Sequence, residues 1–459
     1  MLQKERRFLA DSEERAFDRE HREKLRYNIS RYSVAVERGK CQFSDIEHVR
    51  QRAARQKEQS INNLEQHLIE FESKFTARGG KVIWASDAKE AVTEITRVLT
   101  SRGVRNAVKS KSMITEELNL NEVLQANGIN VLETDLGEFI VQISDDKPYH
   151  IVTPVMHRSA KEIAGIFNMK YDLHPDSTPE EITMYVRKLL REKFVHADAG
   201  ITGANFLIAD TGSVVLTENE GNGILSVSWP RVHIAIAGIE KMIPSIHDLQ
   251  YFLPLLATMG TGQKVTVYNS VLSGPRRNKE VDGPQEMFVV LLDNGRTNLL
   301  SKTEQRSALR CIKCGACLNV CPVYKNIGGH AYGTVYSGPI GSVITPNLHG
   351  MEYKHLSFAS TLCGLCTEVC PVKIPIHKLL LLNRRDAVAQ GHTSTGERRM
   401  MKGYKMVMSK RKRLNLFSAT LKNMGFSMFF RKGWGKRREI PRFNQPSFNQ
   451  QWRKKHKPE

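Results

Sequence analysis

At 459 residues the chain exceeds the usual size of one hydrophobic core, which points to two or three domains. A hydrophobic fraction of 40% with 25% charged residues argues against a disordered chain, and no apolar run approaches the roughly 18 residues that span a bilayer. The net charge of +20 is uneven: residues 401–459 hold 17 Lys and Arg against Glu439 and Glu459, so +15 belongs to a tail and +5 to the other 400 residues.

The opening stretch, MLQKERRFLADSEER, is charged from its fourth residue and lacks the apolar centre of a secretory signal, so a cytoplasmic location is expected. Residues 1–78 are dense in Arg, Glu and Lys and helical in period; Ala53 to Ala77 reads as one long amphipathic helix, an extension packing on the next domain, ended by Gly79 and Gly80. Residues 79–295 alternate strand and helix. Strands are predicted at Lys81–Ala85, just ahead of Lys109, and at Asn130–Glu133, Glu138–Ile143, Tyr149–Thr153, Val232–Ala237, Val265–Tyr268 and Met287–Leu292. Asp87 with Glu90, and Thr178 with Pro179 and Glu181, read as capped helix starts; the first helix turns Val92, Ile95, Val98 and Leu99 to one face. Phe206–Asp210 and Ser213–Thr217 read as a hairpin turning at Thr211-Gly212. The pattern predicts an α/β domain with a mostly parallel sheet. Its candidate small-molecule residues are Lys109 and Lys111, after a predicted strand, and Glu218 and Glu220, after the hairpin; the plainer reading is solvated loop charge. No G-x-G-x-x-G fingerprint indicates nicotinamide or flavin.

Residues 296–390 hold seven of the eight cysteines. Secreted disulfide frameworks spread their cysteines, whereas tight groups in a cytosolic chain read as metal ligands; the isolated Cys41 reads as a small buried hydrophobe. The first run is Cys311-x₂-Cys314-x₂-Cys317-x₃-Cys321-Pro322, and the second is Cys363-x₂-Cys366-x₃-Cys370-Pro371. The C-x₂-C-x₂-C spacing wraps a short loop around three corners of an iron–sulfur cube, and the fourth cysteine, followed by proline, serves the other cluster. Crossing the ligands assigns Cys311, Cys314, Cys317 and Cys370 to one [4Fe-4S] cluster, and Cys321, Cys363 and Cys366 to a second. The second lacks a thiolate, because Ser360 stands where the pattern calls for cysteine. A [3Fe-4S] cluster, a four-iron cluster with an open or oxygen-ligated corner, or a ligand from elsewhere such as Cys41 would each account for this. Structural zinc, which takes four ligands in separated pairs, matches seven cysteines poorly. The 41 residues between the runs resemble the inserted structure of helical ferredoxin domains in respiratory iron–sulfur subunits, and His330 there is a candidate donor to a cluster sulfur or a partner contact.

CIKCGACLNVCPVY, IGGHAYGTVYSGPIGSVITP, LCGLCTEVCPVKIPIH and Thr202–Asn222 (TGANFLIADTGSVVLTENEGN) together resemble the bacterial lactate utilization protein B family over nearly the whole chain. The resemblance implies an α/β lactate-utilization domain with the fold of sugar-phosphate isomerases and CoA transferases, followed by an all-α helical ferredoxin-like domain. It also implies electron transfer within a three-protein system converting L-lactate to pyruvate, with a cysteine-rich subunit and a second lactate-utilization-domain protein as partners. The lack of cysteine at 360 belongs to that family's pattern. An alternative is an α/β isomerase- or acyl-transfer-type enzyme whose clusters sense redox state. The tail, residues 391–459, interleaves Phe417, Phe426, Phe429, Phe430 and Trp434 with basic residues; partner docking or peripheral contact with an anionic membrane is expected of it, and specific nucleic-acid binding is not.

Overall fold

The computed structural model describes residues 3–414, 416–434 and 438–456. They form two compact units, Met1–Gln390 and Gly391–Glu459. The first opens with four helices, Gln3–Phe17, Arg19–Lys40, Ile46–Asn62 and Leu64–Thr76. Asp18 and Asp45 cap the second and third by accepting from the backbone N–H of His21 and His48. The single helix expected from Ala53 to Ala77 is broken at Asn63, whose backbone (φ −113°, ψ 30°) leaves the helical region. Beyond the break, Leu64, Leu68, Phe71 and Phe75 recur at helical spacing and are buried.

Among the described residues ten strands follow: β1 (Lys81–Ala85), β2 (Asn106–Lys109), β3 (Asn130–Glu133), β4 (Ala199–Gly203), β5 (Phe206–Ile208), β6 (Ser213–Glu218), β7 (Val232–Gly238), β8 (Met242–Ile243), β9 (Tyr268–Leu272) and β10 (Glu286–Leu292). Six build a wholly parallel sheet in the order β1-β10-β7-β4-β2-β3. Its central strand β7 is buried along its whole length, as a strand covered on both faces must be. Gly200 in β4 lets the helix Asn222–Ser228 approach; a Cβ there would lie 1.6 Å from the Ser226 carbonyl oxygen. The expected hairpin is present as antiparallel β5 and β6 in a small second sheet, β8-β5-β6-β9. Gly212 turns it at φ 55° directly against the backbone of Phe75, where a side chain would collide.

Three predicted strands differ. Glu138–Ile143 lies within the helix Leu136–Ile143, started by Asp135 accepting from the Glu138 N–H; a short apolar run of strand length does not by itself distinguish the two states. Tyr149–Thr153 is irregular, because the His150 ring accepts from the N–H groups of Val152 and Thr153 in place of a neighbouring strand. Val265–Tyr268 overlaps its strand only at Tyr268, since pairing with β6 runs from Tyr268 to Leu272. Of the two capped helix starts, Thr178 forms a reciprocal box with Glu181, whereas Glu90 reaches past Asp87 to the Ser86 N–H.

From 296 to 390 the described residues form only helices, among them Ala316–Val320 after the first cysteines, Gly338–Leu348 in the insert, Leu365–Glu368 in the second run and Ile376–Ala389. One apolar core runs from Leu25 and Ile29 of the N-terminal helices through Phe252 and Leu255 to Ile340, Val343, Leu356 and Leu379 of this helical region. The N-terminal helices thus pack on both later regions, not on the α/β part alone. A buried ionic knot adds to that core. Arg296 donates to Glu240 (2.6 Å) at the end of β7 and to both carboxylate oxygens of Glu117 (3.0 and 2.9 Å), which also accepts from Tyr336 (2.7 Å) in the insert. Burial alone would raise the Glu117 carboxyl, but Arg296 outweighs it and holds it down at about 2.

The second unit contains the helices Thr395–Met408, Arg411–Leu414, Ala419–Trp434 and Phe448–Lys455. Met401, Tyr404, Met408, Phe417, Met424, Phe448 and Trp452 are exposed there. The side chains of Phe429, Phe430 and Trp434 lie outside the described residues. Among the described residues no helix is long and apolar enough to cross a membrane.

Candidate metal centre

The two cysteine runs share one local backbone. In the first, Lys313 (φ 61°), Cys314 and Gly315 (φ 81°) alternate left-handed, cysteine, left-handed; in the second, Leu362 (φ 54°), Cys363 and Gly364 (φ 87°) repeat the sequence of conformations. A left-handed non-glycine residue costs on the order of 1 kcal/mol, so its presence at the same place in both loops marks a geometry imposed by the loop. Backbone N–H groups point at sulfur: in the first turn Lys313 donates to the Cys311 Sγ (3.4 Å), and after the second run Ile374 donates to the Cys370 Sγ (3.3 Å). Backbone donors from Ala316, Ile340 and Tyr324 likewise reach Cys314, Cys317 and Cys321.

All seven thiols are free. Burial first, and then repulsion from neighbouring thiols, push five of them up: Cys366 and Cys370 to about 11, with Cys314, Cys317 and Cys321 also raised. That repulsion divides them into two groups. Cys317 faces Cys311, Cys314 and Cys370, while Cys366 faces Cys321 and Cys363. Thiols packed together out of water and served by inward N–H donors favour the thiolate form only around a cationic core, so the donor set fits iron–sulfur ligation. Cys41 differs from expectation: it is exposed at the end of the helix Arg19–Lys40, with its thiol 3.5 Å from the Glu37 carbonyl oxygen.

A family model described as the LUD domain matches residues 68–292, and one described as a 4Fe-4S dicluster domain matches residues 307–374. Lactate utilization protein B of Bacillus subtilis (strain 168) is 47% identical over 347 residues, 75% of this chain and 72% of that protein. Its counterpart in Bacillus cereus (strain B4264) is 45% identical over 374 residues, 81% of this chain and 77% of that protein. The chain belongs to the lactate utilization protein B family. Among solved structures, a DUF162 family protein from Deinococcus radiodurans is similar over 50% of this chain and 98% of that chain, with 16% identity and a TM-score of 0.30.

The architecture given by this family membership is a mostly parallel α/β LUD domain followed by a helical region carrying iron–sulfur clusters. The match to the LUD domain begins at residue 68, inside the helix Leu64–Thr76, so that helix belongs with the sheet it covers. The helix before it, Ile46–Asn62, joins the two regions. Its Lys57 donates to the carbonyls of Glu240 (2.5 Å), just after β7, and Met242 (3.1 Å), at the start of β8, and its Arg50 donates to the carbonyls of Cys370 (2.9 Å) and Glu368 in the second cysteine run.

The remaining candidates divide. Lys109 is the last residue of β2 and buried, paired with Glu133 (2.7 Å) and Glu116 (3.3 Å), so it is internal structure. His330 bonds the Lys147 carbonyl (2.7 Å) and packs against Tyr149 and His157, a satisfied loop residue. Lys111, Glu218 and Glu220 line a cavity of about 300 Å³ at the carboxyl ends of the parallel strands, closed on one side by Lys313, Cys314 and Tyr336. Glu218 is no solvated loop charge: it accepts from the N–H groups of Gly223 (2.5 Å) and Ile224 (2.8 Å) at the start of the helix Asn222–Ser228, and burial raises its carboxyl. Isolated motifs did not reveal Lys241 and Lys313, which both line this cavity; the strand order and the packing of the first cysteine loop against the sheet bring them there.

Proposed function

We propose that this chain is the electron-transfer iron–sulfur subunit of an L-lactate-oxidising complex that yields pyruvate. In this reading Cys311, Cys314, Cys317 and Cys370 hold one [4Fe-4S] cluster, and Cys321, Cys363 and Cys366 hold the second. The observation that carries it is the division of the seven thiols into those two groups, each drawn from both runs. When bound, the two clusters supply one-electron storage at neighbouring points. The chain's own residues present the thiolates, direct N–H groups at their sulfurs and keep water from the first group, of which Cys314, Cys317 and Cys370 are buried.

Lactate oxidation removes two electrons, and the chain shows no dinucleotide fingerprint for a two-electron carrier, so the carbon chemistry belongs with partners: a cysteine-rich subunit and a second LUD-domain protein. The LUD domain has the isomerase/CoA-transferase-like fold in this reading, and the protein works in the cytoplasm. The basic second unit, with its exposed aromatic and methionine side chains, docks the complex on a partner or on an anionic membrane surface. The test is anaerobic copurification with both partners, followed by addition of L-lactate. Bleaching of the iron–sulfur absorption supports the assignment, whereas clusters that lactate leaves oxidised in the full assembly contradict it.

A further inference from the structure

The two cysteine loops are superimposable in pattern, and that pattern identifies what stands in for the missing thiol. In the first loop the left-handed Lys313 donates its N–H back to the Cys311 Sγ (3.4 Å). In the second the left-handed Leu362 donates its N–H back to the Ser360 Oγ (3.1 Å). Ser360 therefore occupies the conformational place of Cys311, two residues before the left-handed turn, with its oxygen where the first loop has a ligating sulfur. Arg384 fixes the local backbone by donating to the Ser360 carbonyl (3.2 Å).

We propose that Ser360 Oγ is the fourth ligand of the second cluster, coordinating as an alkoxide after releasing its proton to solvent. This rests on the two-cluster reading above. An alkoxide is a harder and more strongly donating ligand than a thiolate, so it favours the oxidised core and sets the second centre below an all-cysteine counterpart in potential. The test uses the anaerobic full-length protein and reads iron content, EPR and midpoint potential for each centre. In Ser360→Ala about one iron per chain is lost and the oxidised protein acquires a three-iron EPR signal; in Ser360→Cys the iron is retained and the second midpoint moves upward. Unchanged iron, EPR and potential in Ser360→Ala overturn the ligand assignment alone. A wild-type protein with only one cluster's worth of iron overturns the two-cluster reading as well.

Discussion

The two cysteine loops share a backbone and differ in what covers them. A side chain at Gly315, in the first, would lie 3.1 Å from Ile151 and 3.2 Å from Val152 of the α/β region; at Gly364, in the second, nothing stands within 4 Å. Cys314 and Cys317 are buried, whereas Cys363 is exposed. Ligand geometry is thus a local property of the turn, written twice, while access to solvent is decided by which surface the neighbouring domain happens to bury. In the proposed assignment the first centre is the enclosed one, beside the cavity, and the second is the one that meets the outside.

Substitution of single cysteines separates the loops most sharply. Cys317→Ala is expected to remove the enclosed centre, lower iron by about half and abolish lactate-driven electron flow in the assembled complex. Cys363→Ala is expected to lower iron by a similar share while the EPR signal of the first centre persists. Equal loss of both signals in both variants would mean that the loops do not hold separable centres.

The next effect is on stability. Arg296→Met leaves Glu117 and Glu240 buried without their counter-charge, at a cost of about 3–5 kcal/mol measurable by urea unfolding. Because Tyr336 of the insert bonds the same carboxylate, the first loop should loosen before the second, read as faster loss of its EPR signal in the variant.

Acid acts on the same knot. The Glu117 carboxyl stands at about 2 in the folded protein, below its unfolded value near 4.3, so the unfolded state binds more protons between those values. The knot's contribution is fully present above about pH 4.3 and is lost as pH falls towards 2, by roughly 3 kcal/mol in all. Unfolding monitored by near-ultraviolet circular dichroism should show an acid dependence in wild type that is smaller by this share in Glu117→Gln, Glu162 and Glu286 keeping theirs.

The smallest expected effect is a rate. On exposure to air the centre containing Cys363 should bleach several-fold faster than the one containing Cys317, followed as two EPR time courses. Identical rates would mean that burial does not set how oxygen reaches the two centres.

Much of this architecture was legible in the sequence. Cys-x₂-Cys spacing is a contiguous signal, and the caps at Asp87 and Thr178, the hairpin at Gly212 and the apolar strands Val232–Gly238 and Glu286–Leu292 are each decided by a few adjacent residues. The errors fell where a local pattern had two solutions. Glu138–Ile143 has strand length and strand residues, yet Asp135 supplies a helix cap; Tyr149–Thr153 is apolar, yet His150 satisfies its backbone. The cavity was half legible. Glu218 and Lys111 stood out by position, but the placing of Lys241 and Lys313 at one cavity depends on strands β7 and β4 becoming neighbours and on the first cysteine loop packing at their ends, which residues far apart in sequence determine together.

The proposed function has interleaved thiolates holding two iron–sulfur clusters that accept electrons from lactate. Its most direct test is iron and acid-labile sulfide per chain in oxygen-free, full-length protein, with both EPR signals followed as L-lactate is added in the presence of the two partner subunits. About seven to eight irons with matching sulfide, and reduction of both centres by lactate, are the predicted result. Zinc without sulfide, or iron–sulfur centres that lactate never reduces, would contradict it.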